Sequence, residues 1–112
     1  MAQELSYTLT MLGQYDEALA LGQEALGIVA RQFGTESVLY THAQVVVADA
    51  MRGKGRYAEA EPMLLAAERR FRNSKGLLNH YWHTSVMALS RLYDAKGQHE
   101  KARRYRSMLP LR

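Results

Sequence analysis

Gly55-Arg56-Tyr57-Ala58-Glu59-Ala60 decides the fold, because the chain repeats its pattern three times. Gly13-Gln14-Tyr15-Asp16-Glu17-Ala18 precedes it and Gly97-Gln98-His99-Glu100-Lys101-Ala102 follows, each at the same interval (55 − 13 = 97 − 55 = 42). An even period of this length marks a stacked array of supersecondary units. Each copy opens on a Gly placed just past an apolar helical stripe, where a left-handed residue ends a helix. Acidic residues follow and suit the positive start of the next helix.

The rest of the composition fits this frame. The 112 residues are 47% hydrophobic and 23% charged, ordinary for a globular domain with one modest core. There is no Cys, which excludes disulfides, thiolate catalysis and Cys-based metal sites. No apolar run is long enough to span a bilayer and no leader pattern opens the chain, so the expected location is cytoplasmic. The net charge of +4 is unevenly spread. Residues 1–51 carry one base, Arg31, against six acids, and residues 52–112 carry fourteen bases against five acids. The basic half invites an acidic partner, or the opposite end of a second copy.

Apolar spacing predicts six helices, over residues 2–12, 16–33, 35–52, 57–72, 78–96 and 100–108. Thr35 is the expected N-cap of the third. Val45-Val46-Val47 alone would read as a strand, but the repeat register puts it on that helix. Leu19, Leu26 and Phe33 give the second helix an apolar stripe, and its Gly22 and Gly27 are expected where a neighbour approaches closely. Pro62 is expected near the first turn of the fourth helix, where a missing N–H is tolerated. The sixth helix carries Lys101, Arg103, Arg104 and Arg106 and reads as a solvent-facing cap. The first helix begins abruptly and reads as truncated, leaving an edge that would stack on earlier units or on a second copy, giving a homodimer.

The units resemble tetratricopeptide helix pairs. The residues that carry the resemblance are Gly13, Tyr15 and Ala18, then Gly55, Tyr57 and Ala60, then Gly97, His99 and Ala102. Small residues at Ser6, Ala48 and Ser90 let the paired helices approach. The 42-residue period is similar to the longer kinesin-light-chain type, and the C-terminal end is weakly similar to the repeat tails of bacterial signalling proteins such as serine/threonine kinases. The resemblance implies an all-α, right-handed α-solenoid of three pairs in a single repeat domain over residues 1–112, with units at about 1–34, 35–76 and 77–109. It implies a non-enzymatic scaffold that binds a protein or peptide segment.

In such an array the first helix of each pair lines the concave side. The register then places a peptide groove on Tyr7, Met11, Val45, Asp49, Arg52, Met87, Arg91 and Asp94, with Gln3, Thr10, His42 and Thr84 beside them. Asp49/Arg52 and Arg91/Asp94 are spaced as pairs within one helix, and Asp49 is alternatively set to reach Arg91 on the next. The competing view is a solvated, salt-bridged face. The Asn and Lys clamp by which some family members hold a C-terminal carboxylate is replaced by Glu4, Val46, Ala88, Met11, Gly53 and Ala95.

No catalytic constellation, cofactor motif or metal site is expected. His80 and His83 share a helix face but lack further ligands. Trp82 is expected to anchor unit three on unit two. The cationic residues Arg69, Arg70, Arg72, Lys75 and those of the sixth helix leave nucleic-acid binding as a minor alternative, since stacking aromatics are scarce among them.

Overall fold

The computed structural model describes residues 2–110. Six helices are found there and no strand: α1 (Ala2–Met11), α2 (Tyr15–Phe33), α3 (Val38–Gly53), α4 (Tyr57–Phe71), α5 (Leu77–Ala95) and α6 (His99–Arg106). The Val45-Val46-Val47 run is helical and fully buried, which explains why strand-like residues stand there.

The repeat period is a period of turn geometry. Gly13, Gly55 and Gly97 take φ values of 82°, 79° and 78°. At each, the residue after the Gly donates its N–H back across the turn: Gln14 to the Leu9 carbonyl at 2.9 Å, Arg56 to Met51 at 2.9 Å and Gln98 to Tyr93 at 2.8 Å. These are six-to-one bonds of a helix ending in a left-handed Gly, and they satisfy carbonyls that the helix leaves open.

Each helix packs on its sequence neighbour, and α1, α3 and α5 also touch side by side. The backbones of α2, α4 and α6 stay apart from one another. An array whose first helices crowd while its second helices splay must curve with α1, α3 and α5 on the inner side. Ser6, Ala48 and Ser90 are all buried on that inner layer. Ser6 Oγ donates to the Ala18 carbonyl at 2.6 Å, and a Cβ at Gly22 would lie 2.9 Å from that oxygen. Gly22 therefore serves close approach. Gly27 does not, since a Cβ there would meet only the far end of Arg31 at 3.5 Å.

Local expectations are corrected in three further places. The cap of α3 is Ser37, whose hydroxyl accepts from the Tyr40 N–H at 3.1 Å, two residues beyond Thr35. Pro62 lies in the second turn of α4, where its missing N–H deprives the Ala58 carbonyl of its helical partner. Phe33 is 56% exposed at the end of α2, outside the core.

Two polar links reinforce the packing, one between units two and three and one within unit two. Glu68 is buried, paired with Arg72, and accepts from Trp82 Nε1 at 3.1 Å, so Trp82 joins α5 to α4 as expected. Arg70 reaches from α4 to the start of α3, donating to the Glu36 carbonyl at 2.7 Å and to Thr41 Oγ1 at 2.6 Å.

Candidate functional site

The inner faces of α1, α3 and α5 enclose a pocket of about 380 Å³ lined by Gln3, Glu4, Tyr7, Thr8, His42, Val46, His80 and Thr84. The lining follows helical spacing, with His42 and Val46 one turn apart on α3 and His80 and Thr84 one turn apart on α5. His42 stacks on Tyr81, with ring centroids 4.1 Å apart and planes at 14°. Its Nδ1 is buried with no hydrogen-bond partner among the described residues. Burial first, and the nearby His80 second, push the His42 pKa down to about 4, so the ring is neutral near pH 7.

Beside the pocket lies a charged cluster that spans the three inner helices. Asp49 is 2% exposed and receives two arginines. Arg52, one turn on, donates from Nε at 3.2 Å and from Nη2 at 2.9 Å. Arg91, from α5, donates from Nη2 at 2.7 Å and from Nε at 3.3 Å. Tyr7 of α1 lies beneath the Arg91 guanidinium, 6.0 Å from carbon to ring centroid, and Tyr15 beneath that of Arg52 at 5.8 Å. Burial works against the charge on Arg91, but the Asp49 carboxylate, joined by Tyr7, outweighs it and raises its pKa.

Of the eight residues assigned to the groove by register, the structure brings Tyr7, Asp49, Arg52 and Arg91 into one cluster. Val45 is 1% exposed and belongs to the core, so it offers nothing to a ligand. Asp94 does not pair with Arg91. It turns to the C-terminal end, where Arg106 Nη1 lies at 2.8 Å and His99 Nδ1 at 2.8 Å. Met87 is half-buried and Met11 exposed, and neither lines the pocket. Thr10 is buried, donating to the Ser6 carbonyl at 3.1 Å. Thr8 and His80 lie outside the groove read by register, and Glu4 and Val46 enter it only as positions where the carboxylate clamp is replaced. On α3 the register includes pocket-lining His42 but takes Val45, where the four-residue step from His42 marks Val46.

The basic residues of the second half are largely engaged within the fold. Arg70 and Arg72 make the links described above, Arg106 holds Ser90 and Asp94, and Lys101 sits 4.6 Å from the Tyr93 ring centroid. Among the described residues no group of three His, Asp or Glu is placed to hold a metal ion, and no helix is long and apolar enough to cross a membrane.

A family model described as tetratricopeptide repeat matches residues 1–73. No curated protein and no solved structure matches the chain. The match covers the helices of the first two pairs, and the third repeats their turn geometry. The chain belongs to the tetratricopeptide repeat family.

Proposed function

We propose that this chain is a protein-interaction module that receives an extended peptide segment across the inner faces of α1, α3 and α5. Tetratricopeptide repeats generally mediate protein–protein interaction, so the finer question is where. The observation that carries this reading is the 380 Å³ pocket on the curved inner layer, open beside a cluster of half-buried polar and aromatic side chains. A concave, three-helix surface suits an extended segment, whose side chains alternate between pocket and solvent. The test is selection of binders from a displayed library of short random peptides, followed by fluorescence polarisation with the selected sequences. Thr84→Trp fills the pocket from α5 and is expected to abolish binding while circular dichroism stays unchanged. Equal binding to wild type and to folded Thr84→Trp would place the peptides elsewhere and refute the groove.

One observation favours a second reading, self-association through α1. Leu5 is 52% exposed, whereas its counterparts Val47 and Leu89 are buried in their units. Light scattering across protein concentration tests it. A concentration-dependent dimer lost on Leu5→Glu supports this reading, and a strictly monomeric wild type overturns it.

A further inference from the structure

We infer that the Arg52–Asp49–Arg91 cluster is the anchor for one acidic side chain, Asp or Glu, of the peptide segment that occupies the groove. The inference rests on the groove reading and adds the chemistry of what is recognised there.

The argument is one of charge and donors. Two guanidiniums share a single carboxylate, which leaves one positive charge in excess. Their side chains are only 12% and 24% exposed, so water does not fully solvate that charge. The nearest other acid in sequence, Asp94, is committed to Arg106 and His99. Each arginine turns Nε and Nη2 to Asp49, and Arg91 is also bonded by the Tyr7 side chain, which leaves N–H donors on both guanidiniums for a further acceptor. A carboxylate accepts from two such donors at once, and guanidinium is suited to holding it. Tyr7 and Tyr15 back the two arginines and limit their freedom, so little order remains to be imposed on binding.

The recess also selects the source of the carboxylate. A side-chain carboxylate on its aliphatic arm reaches down to arginines this recessed while the ligand main chain stays in the groove. A chain terminus would have to bring its main chain into the recess. Beyond Tyr7 the pocket changes character, because Glu4 and the neutral His42 line it with His80. A second acidic residue is therefore disfavoured there, and the ligand is asymmetric: acidic over Arg91, uncharged beyond it.

The test uses the peptides selected above, synthesised with blocked ends so that no terminal carboxylate remains. The expected result is an enriched Asp or Glu at one position. Its change to Asn or Gln should weaken binding to the wild type about tenfold, the scale of a charge-assisted bond. The same change should cost little against Arg91→Gln or Arg52→Gln, either of which serves if the other fails to fold. Arg103→Gln, which removes one positive charge from α6, should bind as the wild type does. Peptides that lose binding to Thr84→Trp yet show no acidic preference would overturn the anchor and leave the groove standing. An acidic preference that persists undiminished against both arginine variants would also overturn it. Peptides indifferent to Thr84→Trp would overturn the groove, and the anchor with it.

Discussion

His42 should make the fold sensitive to mild acid. Its ring is stacked on Tyr81 with Nδ1 buried and unpartnered, and its pKa falls from 6.5 to about 4. A histidine with a depressed folded-state pKa binds fewer protons when folded than when unfolded. Its contribution is therefore complete above the unfolded value and is lost as pH drops through 6.5 toward 4. Taking those two values, the stability lost between pH 7 and pH 5 is about 2 kcal/mol. The groups facing the ring are His80, Glu4 and Tyr7 across the pocket, and His80 repels a charge placed on it. Carboxylates do not confuse this window. Glu61, Glu68 and Asp94 have lowered pKa values, so their contributions are complete above the ordinary carboxylate range and are lost as the pH falls into and below it. The assay is urea unfolding at pH 7, 6 and 5 on the wild type and on His42→Phe, which keeps a stacked ring and has no ring nitrogen. The wild type should lose about 2 kcal/mol more than the variant across that range. Equal losses in the two proteins would show that His42 is not buried in its neutral form, and the reasoning would fail.

Two further outcomes test the packing. Gly53→Ala adds a Cβ that would lie 2.1 Å from the Tyr15 ring, so the ring must move. Helix propensity favours Ala by about 1 kcal/mol, while forced repacking costs about 1–3 kcal/mol, and the net should be destabilising. In a Tyr15→Ala background the obstacle is gone and the same change should become neutral or stabilising, as thermal unfolding would show. At Glu68, Ala leaves the Trp82 N–H without its acceptor and should cost about 1–3 kcal/mol, whereas Gln retains an acceptor and should cost less. Trp82 is the single tryptophan, so its fluorescence reports the change directly. Equal losses for Ala and Gln would assign the effect to the Arg72 pair alone.

The sequence made the array legible because its turns are local. A left-handed Gly closing a helix needs no information from elsewhere in the chain, and three copies at one interval fix the helix pairs between them. The pocket was harder, because it depends on helix rotation. One residue of misregister turns a helical side chain by about 100°, enough to exchange Val45, which packs in the core, for Val46, which is nearly as buried but borders the pocket. Both are Val, so composition offered no correction. Phe33 departs from the stripe for a related reason: apolar spacing says which face is inward but not where the neighbouring helix stops covering it.

Asp49 shows what spacing alone leaves open. At i,i+3 from Arg52 it reads as a surface pair of little consequence, and at one repeat from Arg91 as a link between helices. Both bonds form on one carboxylate, which no pairwise pattern expresses, and burial changes their meaning. An exposed pair can be broken and solvated at small cost. A carboxylate that is 2% exposed must keep its partners, so Asp49 holds α5 against α3 through Arg91 while Tyr7 brings α1 to the same guanidinium. The three inner helices are thus joined at one point, and that point carries more positive than negative charge. Structural need accounts for one arginine on Asp49. The second, Arg52, lies on the same helix as Asp49, and under the proposed anchor its charge is the one that an acidic side chain of the ligand balances.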